Sequence, residues 1–565
     1  MDDVDAVQAA IARSMLASGD WVTGHIDGLQ FIEKPPLFYW TIAASYRVFG
    51  VHDWAGRIPI ALSAIAMALL TALIGIWAFG KRAGFCAGLC IATCVGLFLF
   101  TRILLPDAML TCTIALALWA MLRALEEDEP HPRAWSIVLA ASFGVGMLLK
   151  SLISVAIPVA VGLIYLLITR QLFVARTWKR LHPFSGALIG LAIAVPWHVL
   201  ATLRNPPYFD LTLHAGPGQY HGFLWFYFFD EQILRFLNLR YPRDYDTVPR
   251  LWFWLLHLVW LFPWSVYFPA VSKLSFKPVD RAGRARLLAL VWIGFVMVFF
   301  TFSTTQEYYS MPIYPALALL LGSAMAMGGA WVRRGTRVLA AIAALAAIAI
   351  IGILIHVHGL PTPGDISAAL VPHPGAYKLS LGHMEDLTLD SFAYLRLPLI
   401  VAGCAFLLGT IGSIAFTGQR AFLAAALMMV VFFHAARLAM VVFDPFLSSR
   451  PLANVLLQSP QGTLVTQGFY YKFSSVFFYT NRDGLLMSDN RANLEYGSNA
   501  PGAPKVFIDH TQFKDLWLAP RRAYLLAAVA DIPKFEAIAN GGQFETVATS
   551  GGKGLLTNHA LTSSP

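Results

Sequence analysis

Charged residues are scarce in this chain. Only 13% of its 565 residues are Asp, Glu, Lys or Arg, whereas 57% are hydrophobic. The mean hydropathy is +0.62. This composition excludes an ordinary soluble globular protein and is typical of a protein with many membrane spans.

Three further patterns are absent. The alternation over about ten residues that marks a transmembrane β-barrel is missing. The net charge of +9 does not indicate nucleic-acid binding, because the basic residues are scattered over short loops. The five cysteines all lie in apolar stretches, so we expect no disulfide framework. Three of them are spaced so that they fall on one face of a helix. We expect these three to be small packing residues in a membrane helix rather than ligands of a metal.

Twelve apolar stretches are long enough to be membrane helices. Each has about 15–24 residues, and a helix needs about 20 to cross the hydrocarbon core. The stretches lie at 60–79, 83–101, 108–124, 135–149, 152–169, 184–203, 251–272, 286–303, 308–328, 337–357, 396–416 and 420–443. The sequence therefore predicts a polytopic all-α membrane bundle, since backbone groups in lipid must be paired within helices.

Lysine and arginine sort to one side of these stretches. They follow the first, fifth, seventh, ninth and eleventh, which all end on the same side if the spans alternate. The positive-inside rule makes that side cytoplasmic. The other side then holds residues 1–56, 204–250, 358–395 and the tail from 444. Because no signal peptide opens the chain, we expect one more span upstream, thirteen in total.

Three regions follow from this pattern. We expect residues 1–56 to form an external amphipathic segment. It should contain one helix that ends near Ser18 and an aromatic-rich helix after Pro36. Residues 57–443 predict the membrane bundle. Residues 444–565 predict a small soluble α/β domain outside the membrane. Its expected strands lie at 462–466, 475–479, 505–508 and 522–526.

Ionisable groups at the predicted outer ends of the spans need an explanation, because charge at membrane depth is costly. Lys150 interrupts two apolar runs. It is either a snorkelling lysine or a cation for a lipid-linked phosphate, in a clamp with Arg235 and Lys34. Asp107 follows Pro106 at the mouth of a span. It is either a helix cap or a carboxylate that accepts a proton or binds a divalent metal.

Other charges lie on the same predicted side. Asp3 and Asp5 suit either a solvated acidic start or a catalytic role. Arg102 shares one short loop with Asp107, and Arg243 lies near Arg235 in the long 204–250 loop. Long loops in compact proteins are usually lids or binding loops.

Short motifs recur in a fixed order over residues 1 to about 443. They are 12–22 (ARSMLASGDWV), 33–40 (EKPPLFYW), 54–59 (WAGRIP), 102–107 (RILLPD), 146–150 (GMLLK), 262–264 (FPW) and 309–312 (YSMP). This ordered set resembles the bacterial polyprenyl-phosphate-dependent glycosyltransferases of the C-type fold. The likeness is greatest to the branch that contains the lipid A aminoarabinose transferase and the protein O-mannosyltransferase relatives. The tail also resembles the external domain of that branch.

The resemblance implies an integral membrane enzyme of the bacterial inner membrane. It would move a sugar from a polyprenyl-phosphate donor to a lipid A, protein or polysaccharide acceptor, in an inverting, metal-dependent or metal-assisted transfer. Its catalytic side and C-terminal domain would be periplasmic, and it would bind no nucleic acid. Neither the sugar nor the acceptor follows from the sequence.

The resemblance also implies individual roles. The family's catalytic aspartate maps to Asp3 or Asp5, and its second acidic motif maps to Asp107. Counting back from Ala12 places the family's Asp-Glu pair on residues 4 and 5, so Asp3 requires a one-residue shift. Glu33 maps to the metal side. The donor phosphate would be bound by Lys34, Arg102, Lys150, Arg235 and Tyr309.

Two other classes of function compete with this interpretation. A transporter or flippase of lipid-linked saccharides would account for the spans and the intramembrane charge, but it predicts inverted repeats and broken helices, which the sequence does not show. A sensor would account for the C-terminal domain but would leave Glu33, Lys34 and Asp107 unexplained.

Overall fold

The computed structural model describes residues 1–242, 247–303, 305–373, 379–468 and 470–561. Arg243 lies outside these ranges. The described part is an all-α membrane bundle with short helices and a hairpin at one end and a small C-terminal α/β domain packed on them. The predicted fold class is confirmed.

The N-terminal segment begins with helix α1 (Asp3–Ser18), which Gly19 ends in a left-handed conformation. A hairpin follows, with β1 (Gly24–Ile26) paired antiparallel to β2 (Leu29–Phe31). Its two turn residues both have positive φ, as a tight hairpin turn requires. Helix α2 (Leu37–Phe49) comes next. The two predicted helices are confirmed, whereas the hairpin is too short to have been recognised in the sequence.

The remaining helices up to the C-terminal domain form the bundle and its connections. They are α3 (Asp53–Phe79), α4 (Lys81–Ala92), α5 (Val95–Phe100), α6 (Asp107–Leu125), α7 (Pro132–Leu149), α8 (Ile153–Ile168), α9 (Ala175–Leu181), α10 (Pro183–Arg204), α11 (Gly222–Trp225), α12 (Arg250–Leu255), α13 (His257–Trp260), α14 (Phe268–Val271), α15 (Arg281–Thr301), α16 (Tyr314–Met327), α17 (Ala330–Val357), α18 (Arg396–Ala415) and α19 (Gln419–Leu447). A π-helix (Phe226–Leu234) extends α11, and a 3-10 helix (Glu307–Ile313) leads into α16.

Nine helices in the described residues are long and apolar enough to cross a membrane. Three of the twelve predicted spans differ from expectation. The stretch 83–101 is broken between α4 and α5, 152–169 is the shorter α8, and 251–272 bends by 96° before Trp264. The bend falls at Pro263, which has no N–H for a helical bond. The first break is paired with it, because the Val95 amide donates to the Phe262 carbonyl over 3.2 Å.

The C-terminal domain contains a five-stranded sheet in the order β4-β3-β5-β7-β6. The strands are β3 (Thr463–Gln467), β4 (Leu485–Met487), β5 (Ala523–Ala528), β6 (Glu545–Ser550) and β7 (Lys553–Thr557). The helices are α20 (Arg450–Gln458), α21 (Ser474–Thr480), α22 (Glu495–Ser498), α23 (His510–Leu518) and α24 (Ile532–Ile538).

The sheet mixes two orientations. β3 lies parallel to β4 and β5, whereas β7 lies antiparallel to β5 and β6. The predicted strand at 475–479 is wrong. This segment is α21, and its residues are buried on nearly every side because α1 packs against it. An apolar run buried all round does not distinguish a strand from a short helix.

The hairpin is fastened to this domain through Asp27. One carboxylate oxygen accepts a hydrogen bond from the Gly484 amide over 2.9 Å, and the side chain is buried. Burial and the neighbouring Asp483 raise the pKa of Asp27 to about 7, although the Gly484 bond opposes the shift. The folded protein therefore binds this proton more tightly than the unfolded chain does.

Replacing Asp27 by Asn should flatten part of the pH dependence of stability. A raised carboxyl pKa stabilises the fold below the unfolded pKa of 3.8, and that contribution is lost as pH rises towards about 7. Each unit of pKa difference corresponds to about 1.4 kcal/mol. We expect wild type to lose stability between these pH values, and Asp27→Asn to lose less. Thermal unfolding in detergent measures this, with the exposed Asp489→Asn as control. Equal slopes for all three proteins would contradict the expectation.

Candidate functional site

A cavity of about 400 Å³ opens at the end of the bundle where α6 begins and α7 ends. The predicted site residues that line it are Glu33, Lys34, Asp107, Lys150, Arg235 and Tyr309. The structure thus brings together side chains from five separate parts of the chain. The basic loops around Arg176 and Arg281 lie in a separate cavity at the opposite ends of α6 and α8.

Five of these side chains lie at the end of an element or just after one, and Tyr309 lies in the 3-10 helix that leads into α16. Glu33 and Lys34 follow β2, and Asp107 is the first residue of α6. Lys150 caps α7, with its amide donating to the Gly146 carbonyl. Arg235 follows the π-helix, an irregular form that is frequent at functional sites. Helix ends carry backbone groups without a partner inside the helix, which polar side chains or ligands can satisfy, so polar groups gather at these positions.

Glu33 is the anion at the centre of one group of charges. Its carboxylate accepts a hydrogen bond from the Lys34 ammonium and lies 3.7 Å from Nη1 of Arg235. Burial would raise the pKa of Glu33, but Lys34, Arg240 and Arg235 outweigh it and hold the pKa at about 2. Glu33 in turn raises the pKa of Lys34 against the effect of burial. Both groups are therefore charged at neutral pH.

Arg235 is oriented from two directions. Its Nη1 lies 2.8 Å from Oε2 of Glu231, one turn earlier, and its Nη2 donates to the Tyr309 hydroxyl over 3.3 Å. The other oxygen of Glu231 lies 2.6 Å from Nε of Arg240, which is almost fully buried. A buried carboxylate shared by two guanidinium groups holds both rigidly.

Lys150 and Asp107 form the second group. The ammonium lies 2.5 Å from Oδ1 of Asp107, and it also lies over the rings of Tyr308 and Tyr309, at 5.4 and 4.9 Å from their centres. Aromatic faces stabilise a cation without neutralising it. Lys150 can therefore face an anion in the cavity while Asp107 keeps its second oxygen for a proton.

Three predicted site residues do not line the cavity. Asp3 faces the C-terminal domain, where its carboxylate accepts from Ser475 and lies 2.6 Å from the Lys553 ammonium. Asp5 accepts from the Leu104 amide over 2.7 Å. Arg102 packs its guanidinium 4.3 Å from the centre of the Phe98 ring. None of the three side chains lies on the surface of the cavity.

Asp5 contacts the loop that precedes α6. It lies 2.5 Å from Nη2 of Arg57, whose Nη1 donates to the Arg102 carbonyl. Burial, together with Asp2, raises the pKa of Asp5 to about 7, against the opposing effect of Arg57. Asp5 and Arg57 together fasten the loop that leads into Asp107.

Sequence reasoning missed Glu231 and Tyr308. Glu231 gave one usable signal, since it lies four residues before Arg235, the spacing at which opposite charges meet on a helix. Tyr308 precedes Tyr309, which the resemblance identified, but nothing in the sequence shows that both rings face the same lysine.

The predicted divalent metal at Glu33 does not fit the side chains around it. Within the described ranges, no group of three His, Cys, Asp or Glu side chains is placed to hold a metal ion. The Glu33 carboxylate is engaged by Lys34 and faces Arg235, so an added cation would be repelled by both.

Ser151, next to Lys150, adopts a strained conformation. Its φ is +92°, in a region of backbone conformation that residues other than glycine rarely adopt. Ser151 also lines the cavity. Such strain costs on the order of 1–3 kcal/mol and persists only where the surroundings enforce it.

Ser151→Gly should therefore stabilise the protein, by about 1 kcal/mol, because glycine adopts this conformation freely. Thermal unfolding in detergent would show the gain as a higher Tm. Ser142→Gly, within the regular α7, is the matched control and should lower the Tm, since glycine weakens a helix interior. A lower Tm for Ser151→Gly would show that the serine side chain contributes more than its strain costs.

An apolar groove adjoins the cavity on its membrane side. Phe236 and Phe299 line both. The groove continues along α15 past Phe295, Val298 and Phe302 and reaches α8 at Ile164. A charged cavity therefore passes directly into a surface suited to a long hydrocarbon chain.

Comparison with known proteins supports the class of protein that the sequence motifs predicted. The family model for dolichyl-phosphate-mannose-protein mannosyltransferases matches residues 33–199. An undecaprenyl phosphate-alpha-4-amino-4-deoxy-L-arabinose arabinosyl transferase of Aeromonas salmonicida is 26% identical, over 91% of this chain and 86% of its own. The same-named protein of Pseudomonas aeruginosa (strain UCBPP-PA14) is 28% identical, over 59% of this chain. That match spans only 57% of the Pseudomonas protein's length.

A solved structure shares the whole architecture. The crystal structure of ArnT from Cupriavidus metallidurans bound to undecaprenyl phosphate superimposes with a TM-score of 0.77 at 23% identity. The alignment covers 100% of this chain and 94% of that one.

The fold is that of the C-type glycosyltransferases, in a multi-pass protein of the bacterial inner membrane. The resemblance inferred from the sequence is confirmed, since the chain is similar to arabinosyl transferases that are named for undecaprenyl phosphate and, over residues 33–199, to the mannosyltransferase family model.

Proposed function

We propose that this protein is a membrane glycosyltransferase that moves a sugar from a polyprenyl-phosphate donor to an acceptor on the periplasmic side. One observation carries the proposal: Lys34, Lys150 and Arg235 converge on a single cavity that opens into an apolar groove. Three cations suit a phosphate, and the groove suits the prenyl chain attached to it. The arabinosyl transferase relatives and the structure with bound undecaprenyl phosphate support the same donor class.

The cavity supplies what such a transfer requires. The acceptor oxygen attacks the anomeric carbon, and the bond from that carbon to the phosphate oxygen breaks. The polyprenyl phosphate leaves with the bonding electrons, and Lys34, Lys150 and Arg235 stabilise its growing negative charge. Asp107, bound to Lys150 through one oxygen only, receives the proton of the acceptor.

The periplasmic orientation rests on charge. Four arginines lie at the opposite end of the bundle from the cavity, namely Arg176, Arg180, Arg281 and Arg284. Because basic loops stay in the cytoplasm, the cavity and the C-terminal domain face outwards. The acceptor is a lipid, protein or polysaccharide that reaches this side.

Lys34→Ala should reduce transfer by roughly 10²–10³-fold, because it removes a preorganised cation from the leaving phosphate. The measurement is transfer of a labelled sugar by detergent-solubilised protein, using a panel of polyprenyl-phosphate donors, with and without a metal chelator. Lys179→Ala, on the exposed face of α9, is the matched control. Loss in Lys34→Ala alone supports the proposal. The absence of transfer by wild type with any donor would contradict it. Loss of transfer on addition of the chelator would show that a metal at Glu33 is required after all.

Asp107→Asn and Asp3→Asn should fail in different ways. Asp107→Asn should lower transfer by roughly 10²–10⁴-fold, because it removes a proton acceptor, and it should also lower the Tm, because it leaves the Lys150 ammonium without its buried partner. Asp3→Asn should cost about 3 kcal/mol of stability, because it leaves the Lys553 ammonium without its buried partner. Folded Asp3→Asn protein should keep transfer near the wild-type rate. Parallel Tm and rate measurements separate the two. Full activity in Asp107→Asn would show that Asp107 is not the catalytic base. An unaltered Tm with lost activity in Asp3→Asn would show that the base lies in α1.

A further inference from the structure

The C-terminal domain contacts the start of the segment that carries Arg235 through Tyr496. Tyr496, in α22, is 6% exposed and packs its ring on Phe226, with ring centres 4.0 Å apart and planes 22° from parallel. Phe226 is the first residue of the π-helix, and Arg235 follows its last residue. The stack therefore holds the start of the segment that ends at Arg235.

The hydroxyl of Tyr496 fixes the same point a second time. It accepts a hydrogen bond from the His221 amide over 2.8 Å and donates one to the Gly222 carbonyl over 2.8 Å. Gly222 opens α11, which runs without interruption into the π-helix. One hydroxyl thus engages two consecutive backbone groups at the first turn.

The apolar cluster around Tyr496 extends to residues that lie next to, or close to, three charged side chains of the cavity. Among the described residues, the cluster includes Ile32, Leu148 and Leu234. Ile32 directly precedes Glu33, Leu234 directly precedes Arg235, and Leu148 lies two residues before Lys150. Tyr496 is the member that the C-terminal domain contributes.

The approach of the domain at this point is close. The Cα of Gly497 faces the Gln30 carbonyl so closely that a Cβ there would lie 2.0 Å from its oxygen. Gln30 also accepts a hydrogen bond from the Tyr220 hydroxyl over 3.1 Å. The hairpin that leads to Glu33 and the loop that leads to Arg235 therefore meet at the residues beside Tyr496.

We propose that Tyr496 is a positioning residue of the transferase, through which the C-terminal domain sets the geometry of Arg235 and Glu231 in the donor site. The inference rests on the proposed function. It assigns the domain a part in donor binding rather than a separate task, although Tyr496 itself does not line the cavity.

Three variants test this role. Tyr496→Phe keeps the ring stack and removes both hydroxyl contacts, whereas Tyr496→Ala removes both kinds of contact. Tyr524→Phe is the matched control, since Tyr524 is a fully buried tyrosine of the same domain whose hydroxyl donates to the Pro460 carbonyl over 2.8 Å. It lies in β5, away from α11.

The first readout is hydrogen–deuterium exchange of residues 222–235 in detergent, which requires no substrate. Tyr496→Phe should speed exchange there roughly five- to tenfold, as expected for the loss of a buried hydrogen bond. Tyr524→Phe should leave it unchanged. Exchange in Tyr496→Phe that matches wild type would overturn the inference.

The second readout is the donor KM compared with kcat. Tyr496→Phe should raise the donor KM roughly five- to tenfold and change kcat less, with a larger effect in Tyr496→Ala. An equal loss in Tyr524→Phe would show general destabilisation and overturn the positioning role. If wild type transfers no sugar from any donor, the proposed function fails, while the exchange data still decide whether Tyr496 holds the segment.

Discussion

The arrangement of this protein depends on the cost of placing charge at the edge of a membrane. The cavity contains three cations and three carboxylates, and each cation lies beside a carboxylate. A buried charge without a partner would be strongly destabilising. The pairing therefore allows Lys34, Lys150 and Arg235 to exist there, and the irregular elements around the cavity follow from the need to bring such pairs together.

The pairing also prepares the site for an anion. An arginine or lysine held by a carboxylate and by tyrosine rings has a fixed orientation before any phosphate arrives. The cost of ordering the side chains is thus met during folding rather than on binding. Preorganised groups that stabilise developing charge usually supply the greatest share of the rate enhancement in catalysis of this kind.

Sequence reasoning recovered those parts of the molecule that depend on local pattern. Apolar length predicted the spans, and the motifs identified Glu33, Lys34, Lys150, Arg235 and Tyr309, which the structure brings together. The break between α4 and α5 did not follow, because the Val95 amide beyond it donates to the carbonyl of Phe262, a residue far away in the chain. The location of Asp3 and Asp5 outside the cavity could not be predicted for a similar reason, since their partners are Ser475 and Leu104. Long-range partners of this kind leave no trace in a local window.

The contact between Asp3 and Lys553 joins residues that are 550 positions apart. During synthesis the chain leaves the ribosome in order, so α1 must wait for the whole bundle and most of the C-terminal domain before its carboxylate meets that lysine. Asp5 in the same helix fastens the loop that precedes Asp107, so we expect that loop to be held in place fully only once the tail has been made and has packed against α1.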